Sequence, residues 1–200
     1  TSSDFLIVVE LTVGQDRPME APTGVATYSG PVPLSRSTQV KARTLSGSTW
    51  SALAEATFAV GPVRENLRIS EIMYHPLDPN AEFIELTNVG AGSIDLNLVT
   101  FTDGIDFTFG STPLAPGDFC LIVRDQAAFE AIYGGDLPVA GEYAGSLNDA
   151  GERLELRDAA GAVIQSFRYR DEWHELTDGD GFSLTSVDPH VAGSSPDYRD

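Results

Sequence analysis

Two glutamates, Glu71 and Glu85, stand inside strand-like runs and form the pair best suited to acid–base work. Glycoside hydrolysis needs two carboxyl groups flanking one bond, one as general acid and the other as base or nucleophile. Glu71 shares side-chain parity with Leu67, Ile69 and Met73. Without a bulge it therefore points to the apolar face, where a carboxylate is costly unless paired or hydrogen-bonded. Glu85 lies beside Phe83, on the opposite face from Ile84. The competing reading makes each carboxylate an acceptor of backbone or arginine hydrogen bonds, and it outweighs catalysis.

A second cluster is acidic and looped. Asp171, Glu172, Glu175, Asp178 and Asp180 fall within ten residues. Hard oxygen ligands suit calcium, so Asp171, Glu175, Asp178 and Asp180 are the candidate calcium ligands. Asp103 and Asp106 form a weaker candidate. A solvated, glycine-bearing connection is the alternative and carries more weight. No cofactor other than calcium is implied. His75, His174 and His190 share no ligand spacing. No Gly-x-Ser-x-Gly elbow follows a buried strand, and Gly90-Ala91-Gly92 lacks the lysine and helix that would cradle phosphate. Trp50, Trp173, Tyr28 and Tyr74 fall at strand ends or loops, where rings either stack on sugars and peptides or plug the end of a sandwich.

The elements that must position these residues are short strands. Residues 5–13 are apolar and β-branched. Residues 38–45 alternate, with Val40 and Ala42 opposite Lys41 and Arg43, and Gly47-Ser48 returns the chain through 51–60. Gly61-Pro62 is the expected boundary, because proline does not continue a central strand. Strands follow at 67–74, 82–88, 94–102, 105–109, 119–123, 153–157, 163–169 and 182–185. The spacing predicts one helix over 125–133. Asp125 caps it, Phe129, Ile132 and Tyr133 form its apolar stripe, and Gly134 stops it. Many short strands with glycine turns predict a sandwich or barrel.

Charge narrows the partners. Twelve basic residues face 30 acidic ones, for a net charge of −18. Residues 1–60 hold five acids and four bases, so nearly all of the imbalance falls on 61–200. Such a surface repels nucleic-acid phosphates and attracts cations or basic partners. No apolar segment has the length of a membrane span, so no membrane insertion is expected. Cys120, the only cysteine, lies in an apolar run and reads as a core residue. The N-terminus shows no basic-then-hydrophobic leader, and the chain is expected to begin inside a longer protein.

The order of motifs is itself informative. Ile69-Ser70-Glu71-Ile72-Met73-Tyr74-His75-Pro76 followed by Glu82-Phe83-Ile84-Glu85-Leu86-Thr87-Asn88 resembles the opening of a lamin tail domain. Leu114-Ala115-Pro116-Gly117, Leu147-Asn148-Asp149-Ala150-Gly151 and the ending Trp173, Asp178-Gly179-Asp180-Gly181-Phe182-Ser183-Leu184 continue the likeness over about 67–185. Two departures concern a groove more than the fold: no tryptophan stands near Leu98-Val99, and His174 replaces a proline after Trp173. Residues 1–61 resemble, more loosely, the C-terminal β domains of chitobiase-like and hexosaminidase-like proteins, through Tyr28-Ser29-Gly30-Pro31, residues 37–43 and Ser48-Thr49-Trp50-Ser51. The first strands of that piece are expected to lie before Thr1.

The resemblance implies an all-β protein: an immunoglobulin-like β-sandwich at 64–189, a partial β-sandwich at 1–61 and a flexible tail at 190–200. It implies a non-catalytic binding, adhesion or scaffolding module of a larger secreted or cell-surface bacterial protein. The partners would be protein or polysaccharide, alongside other domains of the parent chain, and not nucleic acid. The alternatives are a carbohydrate-binding accessory module and, behind it, a carboxylate-based hydrolase. Trp173, Tyr74 and Trp50 are the expected binding rings.

Overall fold

Period-two alternation settles the layers of this chain. A strand whose odd and even side chains differ in polarity must put one set against a second sheet. The structure is a computed structural model that describes residues 6–12, 26–27 and 30–190, with side chains from residue 30 onward. The loop expected at 14–24, the ring of Tyr28 and the tail at 191–200 lie outside the described residues.

The first sheet contains β1 (Leu6–Thr12), β2 (Ala26–Thr27), β3 (Thr38–Ser46), β4 (Thr49–Trp50) and β5 (Ala54–Phe58). β1 runs antiparallel along β3 from Leu6↔Leu45 to Thr12↔Gln39, and β5 lines the other side of β3. The chain then passes through α1 (Val63–Asn66), β6 (Leu67–Met73), β7 (Phe83–Asn88), β8 (Ile94–Asp95), β9 (Thr100–Asp103), β10 (Phe107–Thr108) and β11 (Pro113–Leu114). It continues through β12 (Phe119–Val123), α2 (Gln126–Tyr133), β13 (Val139–Glu142), β14 (Arg153–Arg157), β15 (Val163–Arg168) and β16 (Leu184–Thr185).

These later strands build an immunoglobulin-like β-sandwich. One sheet has the order β13-β12-β7-β6-β16, the other β10-β9-β14-β15, and β8 pairs with β11 beside them. Ile69, Ile72, Ile84, Leu86 and Ile122 of the sheet containing β6 meet Phe101, Leu154, Leu156 and Phe167 of the sheet containing β14 in one buried core. The polar face of β14 follows the alternation: Arg153 and Arg157 flank Glu155, and their guanidinium groups hold its carboxyl below the usual range, the Arg157 hydrogen bond contributing most.

A bulge in β6 alters the predicted parity. Ile69 pairs with Leu86 and Glu71 with Glu85, so Ser70 is the extra residue. The bulge turns Ile72 and Tyr74 inward and moves Glu71 to the outer face, contrary to the unbroken alternation. The side-chain oxygen of Gln165, reaching from β15, accepts the Ile69 N–H at 2.6 Å.

Three other expectations change. The strand predicted over 94–102 is broken into β8 and β9. Asp95 accepts the N–H of both Asn97 and Thr112, and Leu98 adopts φ 65° in the left-handed region. The helix forms with Asp125 accepting the Ala128 N–H, but of the predicted stripe only Phe129 is buried, while Ile132 and Tyr133 remain exposed. Phe129 joins Met73, Phe83, Leu121 and Val123 in a second cluster on the outer face of the sheet. β13 pairs parallel to β12 in a stretch that reads as loop.

Candidate functional site

The chain leaves β15 at Tyr169, which is fully buried and donates its hydroxyl proton to the Asn148 carbonyl at 2.9 Å. From there residues 171–183 are held down at four places. Trp173 packs half-buried against the core. Thr177 is buried, donates its hydroxyl to the His174 carbonyl at 2.8 Å and so accepts from the Tyr74 hydroxyl at 3.0 Å. Asp178 lies 2.8 Å from Nδ1 of His75, whose Nε2 is 3.8 Å from Asp149. Ser183 donates to the Glu71 carboxylate.

Between these anchors the segment forms two short 3-10 turns, Asp171–Trp173 and Glu175–Thr177. With the edge strand β16 they enclose a groove of about 450 Å³. Its apolar wall is formed by Trp173, Leu176, Phe182 and Leu184. Leu176 and Phe182 are each 57% exposed, an arrangement that carries a hydration cost and offers surface for a ligand to cover. The volume lies in the usual range for ligand pockets, roughly 300–1,000 Å³. Residues 171–190 carry Asp171, Glu172, Glu175, Asp178, Asp180 and Asp188 and no lysine or arginine.

The predicted rings do not converge. Tyr74 is completely buried, so it is not an exposed binding ring. Burial pushes its hydroxyl pKa up, and it serves as the post beneath Thr177. The reason is the β6 bulge, which reverses the parity of everything that follows it. Trp50 is 40% exposed on the first sheet, with the Arg43 guanidinium 4.2 Å above its ring. Trp173 alone lines the groove.

The predicted calcium ligands do not converge either. Among the described residues, no group of three or more histidine, cysteine or acidic side chains is arranged to hold a metal ion. Asp171 and Glu175 head separate turns, Asp171 accepts the Glu172 N–H, and Asp178 is engaged by His75. Asp180 joins no such group.

Glu71 and Glu85 are brought together. They sit directly opposite each other on β6 and β7, on the outer face. Ser70 donates to Glu85 at 2.6 Å. Burial, opposed by that hydrogen bond and reinforced by the Glu71 charge, raises the Glu85 pKa. Neither lines the groove. No lysine or arginine among the described residues bridges either one.

Sequence reasoning passed over Glu82, the most tightly held carboxylate. It is 2% exposed and accepts from Arg124 at 2.6 Å, the Tyr143 hydroxyl at 2.9 Å and the Leu147 N–H at 2.8 Å. It ties three chain segments together and does not line the groove. Leu176 and Phe182 were also passed over. Their signal was two large apolar residues isolated in an acidic, glycine-rich stretch.

The family model described as Lamin Tail Domain matches residues 62–171. No curated protein matches the chain. Among solved structures, a DUF4876 family protein from Bacteroides thetaiotaomicron VPI-5482 is similar at 11% identity and a TM-score of 0.40, over 86% of this chain and 75% of that one. Lamin tail domains are in general non-catalytic. With more than half of its length matched, the chain belongs to the lamin tail domain family.

Proposed function

We propose that this chain is a non-catalytic binding module of a larger secreted or cell-surface protein, and that it engages its ligand through the groove between residues 172 and 185. One observation carries this reading. A segment fixed to the core through Trp173, Thr177, Asp178 and Ser183 nonetheless leaves Leu176 and Phe182 largely uncovered beside a cavity of about 450 Å³. A preformed groove of this kind spends little ordering entropy on binding. The strong negative charge agrees with a module that meets cationic or hydroxyl-rich ligands outside the cell.

A parallel screen on peptide and glycan arrays tests this, with wild type beside Leu176→Ser and Phe182→Ala. Both variants change exposed side chains, so the fold should persist. Binding in either array that both variants weaken supports the reading. Binding that neither variant alters contradicts it, as does hydrolysis of a glycoside that Glu85→Gln abolishes.

A further inference from the structure

The groove has a backbone as well as side chains, and the backbone restricts the class of ligand. Among the described residues β16 is an edge strand, bonded to β6 at the end of the sheet order β13-β12-β7-β6-β16. Leu184 pairs with Ile72, Thr185 with Glu71, and the Ser186 N–H donates to the Ser70 carbonyl at 2.7 Å. Antiparallel ladders alternate between bonded and non-bonded pairs. The Ser186 bond fixes that alternation: positions 184 and 186 face β6, and the N–H and C=O of Thr185 face outward, away from β6. Ser183, Leu184 and Thr185 line the groove, so it runs beside a sheet edge with polar backbone to spare.

The two faces at this edge differ in chemistry. Leu184 is 1% exposed and shares the core with Trp173, so the face on its side is apolar. Thr185 belongs to the outer face, where it stands beside Glu71, and Glu71 beside Glu85. The outer face therefore presents a row of Thr185, Glu71 and Glu85 perpendicular to the strands. Like charges directly opposite one another are destabilising, and the Ser183 and Ser70 hydroxyls donate to these two carboxylates. At about 4.8 Å per strand, a strand added beyond β16 would lie about 10 Å from Glu71, within joint reach of a lysine and a glutamate side chain. The chain itself has one lysine, Lys41, on β3 of the first sheet.

We infer that β16 takes an extended, basic polypeptide segment as an added strand, its apolar side chains packing toward Trp173 and Phe182 and its alternating lysines or arginines meeting Glu71 and the acidic rim. This rests on the groove being the ligand face, and it names the ligand: a strand of alternating cationic and apolar residues. Main-chain bonds to Thr185 supply register, and the alternate side chains supply specificity.

The probe is the synthetic hexapeptide Lys-Val-Lys-Val-Lys-Val, followed by fluorescence anisotropy against the full chain. Its controls are a Glu-for-Lys version and a version N-methylated at alternate backbone positions. The expected result is saturable binding of the first peptide only, weakened several-fold when salt is raised from 50 to 500 mM, as charge screening requires. Phe182→Ala is expected to weaken it about tenfold, as a contact residue in a small interface, and Glu71→Gln several-fold. Thr185→Pro removes the outward donor without removing a bond to β6, and it should abolish binding while the melting temperature stays close to that of wild type. If Thr185→Pro does not fold, the N-methylated peptide decides the point on the wild-type chain.

Failure of the Lys-Val peptide to bind overturns the inference. Equal binding of the N-methylated peptide also overturns it, because no strand is then being added. If the peptide fails while a glycan binds in a Phe182-dependent manner, the peptide inference falls and the groove reading stands. If no peptide or glycan depends on Phe182, both fall.

Discussion

The first sheet and the lamin tail sandwich are both built from well-paired strands, yet they differ in what lies beneath the pairing. β3 is nine residues long and is hydrogen-bonded on both sides. Even so, between residues 30 and 61 only Ser37 and Thr38 are buried. From residue 30 onward, every buried hydrophobic residue is numbered 63 or higher. The seam between the two regions includes the Asn97 side-chain N–H donating to the Ser37 carbonyl at 2.7 Å and a longer contact from Arg36 to Ser111. Ladder hydrogen bonds replace bonds to water and contribute little net stability, about 1 kcal/mol each, whereas apolar burial is the dominant favourable term. The contrast between residues 30–61 and the sandwich explains why the groove, pinned to a buried core, is the better candidate for a rigid ligand face.

The contrast can be broken or sharpened by substitution. The largest effect is expected for Glu82→Ala, which strands the Arg124 charge and the Tyr143 hydroxyl and should cost about 3–5 kcal/mol in urea unfolding. Ile122→Ala, at a site with no exposure, should cost about 2–5 kcal/mol. Val40→Ala on β3, half-buried, should cost well under half as much. Equal losses at Ile122 and Val40 would break the comparison.

Gly151→Ala ranks next. Gly151 has φ 92°, and a Cβ there would sit 2.4 Å from the Tyr169 carbonyl oxygen. The strain should lower the melting temperature by several degrees, since about 1 kcal/mol shifts a domain of this size by roughly 2–4 °C. It should also loosen the start of the groove segment.

Glu85→Gln should have a smaller effect of opposite sign. The folded carboxyl has a raised pKa, so the fold binds that proton more tightly than the unfolded chain does. Stability is therefore lost as pH rises from the ordinary glutamate range through the raised value. The substitution should stabilise the chain by about 0.5 kcal/mol at pH 7, the scale of a cross-strand like-charge pair. The gain should vanish in acid, as pH-resolved thermal melts can show. Last, burial and then the Glu85 charge push the Cys120 thiol up to about 12. Iodoacetamide should modify it in denaturant and leave it unmodified in the native protein.

Much of the fold was legible. The alternation at 82–88 and 153–157 read correctly because each of those strands keeps one parity from end to end. The runs at 67–74 and 94–102 misled for a shared reason: a single irregular residue, Ser70 in the bulge or Leu98 at positive φ, reverses or ends the pattern without a glycine or proline to announce it. Tyr74 misled for a different reason: it reads as a strand-end ring, and the bulge turns it into the core. β13 was missed because Gly141 and its neighbours carry turn chemistry, and only pairing with β12 makes them a strand. At the groove, Trp173 was legible as an aromatic ring in a loop. The role of Leu176 and Phe182 was not, because their exposure depends on Thr177 meeting Tyr74, 103 residues away.

Native-state hydrogen exchange tests the central claim most directly, that the groove is a preformed face carried by the sandwich core and not by strand pairing alone. The account predicts that the amides of Thr177 and Ser186, bonded to the His174 and Ser70 carbonyls, exchange on the same slow scale as those of β7 and β12. The amides of β3 and β5 should exchange orders of magnitude faster despite their complete ladder. Slow exchange in β3 and β5 together with unprotected amides at Thr177 and Ser186 would contradict it.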